Sequence, residues 1–233
     1  MKTTLTSLVI LCLTIATTFA ADEPNKEKED GFTPIFNGKD FTGWVYGDNG
    51  KGGENKAGVG YQIKDGVIYS TVKDGGNLYT EKEYADFVLR FEFKLTESAN
   101  NGIGIRAPLQ GDSAYAGMEI QVLDDDGKAY KKPDGTPAIR PAQHHGSVYD
   151  VFAAKPGFLK PVGEWNVEEI SAKGPHITVT LNGTVITDAD LSTVTDPAVL
   201  KKHPGLKNEK GHIGFLGHGA QVEFRNLRIK ELR

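Results

Sequence analysis

The residues best able to do chemistry gather in one stretch, Gly117 to Gly127 (GMEIQVLDDDG). Side chains alternate faces along an extended strand, so Met118, Ile120 and Val122 point one way while Glu119 and Gln121 point the other. A carboxylate and an amide two residues apart then face one space, as a general base beside a group that binds hydroxyls. The plain alternative is an ordinary solvated sheet face. Leu123 and three aspartates follow, Asp124, Asp125 and Asp126, closed by Gly127 in what reads as a turn. Crowded carboxylates repel one another unless a proton or a metal intervenes. Asp124, Asp125 and His145 are therefore the candidate ligands for a divalent cation, the one cofactor the chain suggests. An EF-hand is excluded, because with Gly127 as the loop's invariant glycine the first and last ligands fall on Val122 and Pro133.

Arg106 closes a second strand ahead of Ala107-Pro108. Its guanidinium can hold a carboxylate or an oxyanion, or form a surface ion pair. His144 and His145 are adjacent, so on a strand they face opposite ways and on a loop either reaches the site. One of them can serve as an acid or base near neutral pH. His218, within Gly217-His-Gly219, is better placed for chemistry than His212. Trp44 and Trp165 are rings that stack on a ligand or anchor a core. No Ser-His-Asp order, phosphate loop or zinc spacing is present.

Short alternating runs between turn signals position these residues, the pattern of an all-β sandwich or barrel. Tyr61 to Lys64 and Val67 to Ser70 flank Asp65-Gly66, and Asn182-Gly183 joins His176 to Leu181 with Thr184 to Thr187; both dipeptides predict hairpins. Phe87 to Leu95 alternates with Phe87, Leu89, Phe91, Phe93 and Leu95 on one face. In Ile103 to Arg106 the isoleucines point inward and Arg106 outward. Asp125 to Pro141 reads as the longest loop, Leu191 to Lys202 has room for one helical turn, and the strand from Val222 carries a bulge near Asn226.

The N-terminus has the parts of an export signal: Lys2, the apolar run Leu5 to Ile15, and small residues up to Ala20. Residues 1–20 read as the signal, 21–30 as a charged tether and 31–233 as one domain. The apolar run is too short to span a bilayer, and no later stretch approaches the ~20 apolar residues a membrane helix needs. The only cysteine, Cys12, falls inside the signal, so the exported chain has no disulfide. Leu11 is bulkier than a lipid-attachment motif accepts at that position. Cleavage removes one lysine and leaves 26 basic against 31 acidic residues, a net charge of −5. That balance argues against nucleic acid and anionic membrane as partners.

Several motifs then occur together and in order: Phe36-Asn-Gly-Lys-Asp-Phe-Thr-Gly-Trp44, Asn101-Gly-Ile-Gly-Ile-Arg-Ala-Pro108, Gly117-Met-Glu-Ile-Gln-Val-Leu-Asp-Asp125, Gly146-Ser-Val-Tyr149, Lys160-Pro-Val-Gly-Glu-Trp-Asn166, and Gly211-His-Ile-Gly-Phe215 through Phe224-Arg-Asn226. In these the chain resembles the 3-keto-disaccharide hydrolase (DUF1080) family over nearly all of Gly31 to Leu232. The resemblance implies a concanavalin A-like jelly roll of two antiparallel sheets, with the site on the concave face. It implies a small-molecule carbohydrate substrate already oxidised at C3. The reaction it implies is either elimination across C1 and C2 or hydration of the resulting 2-hydroxy-3-keto-glucal, and the export signal puts it in the periplasm or outside the cell. No obligate protein partner is evident. The alternative is a non-catalytic carbohydrate-binding module or lectin, since fold does not fix function.

Carried onto this chain, the resemblance makes Glu119 or Asp124 the base or acid, with Arg106 or a cation holding the developing O3 enolate. Gln121, Tyr149 and His218 bind hydroxyls, and Lys160 and His145 are further candidates. The His144-His145 pair departs from what the resemblance leads one to expect, a polar residue such as threonine before the glycine.

Overall fold

A computed structural model of the chain describes residues 31–47, 60–71 and 76–233. The expected signal and tether lie outside the described residues. Among the described residues thirteen strands form two antiparallel sheets packed face to face. The larger sheet holds eight, in the order β11 (Thr184–Asp190), β10 (His176–Leu181), β9 (Trp165–Lys173), β6 (Phe87–Leu95), β13 (Val222–Glu231), β4 (Val67–Ser70) and β3 (Tyr61–Lys64), with β1 (Thr33–Pro34) also paired to β13. The smaller holds five: β2 (Trp44–Gly47), β5 (Asn77–Tyr84), β12 (Gly211–Leu216), β7 (Asn100–Ala107) and β8 (Met118–Leu123). The chain crosses between sheets from β5 to β6, back to β7, and again from β12 to β13. Each sheet is thus built from strands distant in sequence, as in a jelly roll.

Alternation decides which face is buried. On β6 the five apolar positions are buried and Val88, Arg90, Glu92 and Lys94 are half-buried on the far side. Ile103 and Ile105 of β7, Met118, Ile120 and Val122 of β8, Phe215 and Phe224 join them in one core. Phe215 stacks on Phe224 with centroids 4.2 Å apart. Each such side chain contributes about 1.5–3 kcal/mol by leaving water. Trp44 belongs to this core, flat against Phe215 at 5.4 Å with its indole N–H on the Ile35 carbonyl, so it is an anchor. Trp165 lies on the outer face of the large sheet, between Lys94 and Arg225.

The turn chemistry holds. Asp65-Gly66 and Asn182-Gly183 take left-handed φ and close the β3–β4 and β10–β11 hairpins. Asn226, at φ 54°, sits where the β13 register slips against β6. Leu191 to Lys202 supplies one short 3₁₀ turn and a helix, Pro197–Lys202 (α2); a further helical turn, Ser113–Ala116 (α1), precedes β8.

Candidate active site

Glu119 and Gln121 face away from the core on β8, paired across to Gly104 and Gly102 of β7. The glycines make this possible. A Cβ on Gly102 would stand 2.0 Å from Glu119 Oε1, so a bare backbone is what lets the carboxyl lie across β7. On the other side of β8, residues 146–149 run alongside as a partner. Gly146 N–H donates to the Gln121 carbonyl (2.8 Å), Gln121 N–H to Ser147 (3.0 Å), and Tyr149 N–H to Glu119 (2.9 Å). This covers an edge that would otherwise be open and sets Tyr149 beside Glu119 on the same face. Asp112 caps α1, its Oδ1 accepting from Ala114 N–H at 3.1 Å, and brings Tyr115 over the same face.

Together these elements enclose about 150 Å³ lined by Asn77, Asn100, Asp112, Tyr115, Glu119, Gln121, Tyr149 and His218, with Ala114, Leu216 and Gly217. The space suits one small ring; ligand pockets of drug size run to ~300–1,000 Å³. Its polarity is one-sided. Asn100 Oδ1, Glu119 Oε1 and Gln121 Oε1 are all buried acceptors without a protein hydrogen-bond partner. Orphaned buried oxygens are costly unless a ligand donates to them. Gln121 is held by its amide N–H on the Gln143 carbonyl (3.3 Å), and Gln143 Nε2 donates to Tyr149 Oη (3.0 Å), which leaves the phenol proton to donate.

The Glu119 carboxyl is pushed up to about 8, first by loss of solvent and then by the charge of Asp112. At neutral pH it carries its proton. Burial likewise raises Tyr115.

Of the residues singled out from sequence, Glu119, Gln121, Tyr149 and His218 meet in this cavity. The others do not. Arg106 sits on a β7 bulge, where two residues oppose the single Ile213 of β12, and takes a left-handed φ of 46°. The bulge turns its side chain away, and it is buried instead of outward. Its guanidinium donates to the carbonyls of Ala85, Gly174 and Asn208 and to Asp86. It lines a separate groove of about 650 Å³, with Asp86, Leu191, Leu200 and Leu206. That groove is larger, but its arginine is fully committed, so it offers the weaker case for chemistry. Arg106 therefore does not reach a ligand held by Glu119.

Asp124 accepts from Ser98 N–H (2.8 Å) and braces the turn ending at Gly127. Asp125 accepts from His145 N–H (2.9 Å) and stands 3.2 Å from His144 Nδ1. His145 is buried against Phe93, with Nε2 2.9 Å from Glu168 Oε2 at ion-pair distance, though not in hydrogen-bond alignment. Asp124, Asp125 and His145 are thus held by protein groups, Asp125 by the His145 backbone itself, instead of converging on a cation. Among the described residues no group of three His, Cys, Asp or Glu side chains is arranged to hold a metal. Lys160 donates to the Trp165 carbonyl (2.8 Å) and lies outside the cavity. Sequence reasoning missed Asp112, Tyr115, Asn77 and Asn100. Only the Asp112 cap, an aspartate before Ser-Ala-Tyr-Ala, left a local signal.

The sequence model of the 3-keto-α-glucoside-1,2-lyase-like domain matches residues 31–230. The chain belongs to that family. A curated relative from Bacteroides thetaiotaomicron, named a 3-keto-disaccharide hydrolase, is 28% identical over 239 residues, covering 87% of this chain and 79% of the relative. A crystal structure from Parabacteroides distasonis, provisionally named a glycosyl hydrolase, superposes with a TM-score of 0.68 at 27% identity, over 90% of this chain and 97% of that one. A non-specific endo-β-1,3(4)-glucanase shares the sandwich alone, with a TM-score of 0.50 at 11% identity over 86% of this chain and 91% of its own.

Proposed function

We propose that the family member described here is an exported enzyme that acts on 3-keto-glycosides, eliminating the C1 aglycone after loss of the C2 proton, hydrating the 3-keto-2-hydroxy-glucal so formed, or both. One observation carries the reading: a buried carboxyl, Glu119, with an unpartnered oxygen and a raised pKa, in a ring-sized cavity of hydrogen-bond acceptors. A ketone at C3 acidifies the C2–H bond, so carboxylate chemistry suffices to break it. Sugar hydroxyls are the donors that the Asn100 and Gln121 oxygens lack, and they can both give to and accept from the protonated Glu119 carboxyl. The names of the Bacteroides and Parabacteroides relatives support a carbohydrate substrate.

Incubation with a 3-keto-glucoside in deuterated water tests this. Aglycone should be released and deuterium should enter at C2, while the unoxidised glucoside stays intact. Glu119→Gln should stop aglycone release with the fold retained. Binding of the keto sugar without aglycone release, and without conversion of the glucal, would leave only a carbohydrate-binding module. Export predicts a mature chain that begins at Ala21, which intact mass measures.

A further inference from the structure

Glu119 is not the only carboxyl in the cavity. Asp112 lies exposed at the rim while Glu119 is buried on the floor, and both line the same 150 Å³. Asp112 is fixed in place by its cap hydrogen bond to Ala114 N–H, and its charge is felt by Glu119. The two environments differ, one dry and one wet, which is how two carboxyls come to take opposite proton roles.

We infer that Asp112 is the second catalytic carboxylate of this cavity, the base that takes the C2 proton of the bound sugar while Glu119 gives a proton to the departing oxygen. The inference rests on reading the cavity as a 3-keto-glycoside site. A carboxyl that holds its proton at neutral pH donates and does not accept in the same step. Something else must receive the C2 proton, and among the described residues the remaining acid lining the cavity is Asp112.

The steps balance. Asp112 takes H2 as the C2–H pair moves into an enolate across C2, C3 and O3. The enolate collapses, C3=O re-forms, C1=C2 forms, the C1–O1 bond breaks, and O1 leaves with the Glu119 proton. Asp112 is then protonated and Glu119 ionised. For hydration, Glu119 takes a proton from water as its oxygen adds to C1, and Asp112 returns its proton to C2. Both groups end as they began, and the sum is hydrolysis without net oxidation.

The cap makes a clean test possible. Asparagine and serine cap helices as well as aspartate does, and glycine caps only slightly less well. Asp112→Asn and Asp112→Ser should keep the wild-type Tm while kcat for aglycone release falls by about 10³-fold. Formate should restore activity to Asp112→Gly. In Asp112→Asn the alkaline limb of the residual activity should move to lower pH, because one of the two causes that raise Glu119 is gone. Glu119→Gln should still exchange the C2 proton with deuterated water although its aglycone stays bound. Wild-type kcat in Asp112→Asn overturns the inference, as does loss of C2 exchange in Glu119→Gln or transfer of the defect to His218→Gln. None of those results touches the substrate assignment, which fails separately if the wild-type chain neither releases the aglycone nor converts the glucal.

Discussion

The Glu119 carboxyl lies across the backbone of Gly102, at a point where a methyl group would come within 2.0 Å of Oε1. The atoms a methyl would strike, Oε1 at 2.0 Å and Cδ and Cγ at 2.7 Å, all belong to the one Glu119 side chain and none to backbone, and Gly102 is not among the left-handed residues, so alanine is tolerable to the backbone. Gly102→Ala should therefore fold with a Tm close to wild type. The carboxyl must swing aside by an ångström or more, and displacement of that size costs on the order of 10²-fold in rate. A circular-dichroism melt beside a turnover assay checks both halves; full activity in this variant would mean that the carboxyl's position is immaterial.

The buried Glu119 also ties stability to pH. Its folded pKa of about 8 lies above the unfolded carboxyl value of 4.5, so the folded chain binds the proton more tightly. Stability from this group is fully present below the unfolded pKa and is lost as pH rises through the folded one. Between those limits the wild type should lose several kcal/mol, on the order of 4, relative to Glu119→Gln, which does not titrate. Melting both proteins from pH 4 to pH 9 should show the curves diverging towards alkali. Aglycone release, for which we have proposed Glu119 as the acid, should decline above pH 8 in step.

Much of the sandwich is legible in sequence because alternation and turn chemistry are local. Phe87 to Leu95 names its own buried face, and Asn182-Gly183 its own turn. Glu119 and Gln121 are legible for the same reason, being on the polar side of a strand whose other side is plainly core. Arg106 misleads because the alternation that would place it breaks at a bulge, and a bulge depends on the β12 partner. Lys160 and Asp124 carry suitable chemistry but are occupied by a backbone carbonyl and an amide that no spacing rule announces. Asp112 and Asn100 enter the cavity through tertiary packing alone. His145 and Glu168 are 23 positions apart in the sequence, and nothing local shows that they meet inside the core.

Arg106 should act on stability and not on turnover. It satisfies three carbonyls and Asp86 from a buried position, and burial pulls its pKa down while Asp86 opposes that. Arg106→Met keeps much of the volume but strands those acceptors, at a cost of about 1–3 kcal/mol. For a chain this size that is a fall in Tm of roughly 2–12 °C. Below the melt, kcat and KM should stay within about threefold of wild type. A collapse of kcat in folded protein would return the guanidinium to the reaction.

The His145–Glu168 contact gives the sharpest stability test. Both side chains are essentially shielded from water, 2.9 Å apart, with the imidazole against Phe93. Removing one partner of such a pair leaves the other buried and unmatched, which costs about 3–5 kcal/mol, whereas replacing both with apolar groups of similar size is often neutral. Glu168→Leu alone should therefore lower Tm sharply, by roughly 6–20 °C. The double variant His145→Phe with Glu168→Leu should recover most of that loss, because its new ring packs on Phe93 without a buried polar group to satisfy. His145 is followed by the segment that pairs with β8 and presents Tyr149 to the cavity, so the single variant should also raise KM, and the double should restore it. A double-mutant cycle in both Tm and KM measures the coupling directly. Strict additivity of the two substitutions would show that the pair is only a packing contact.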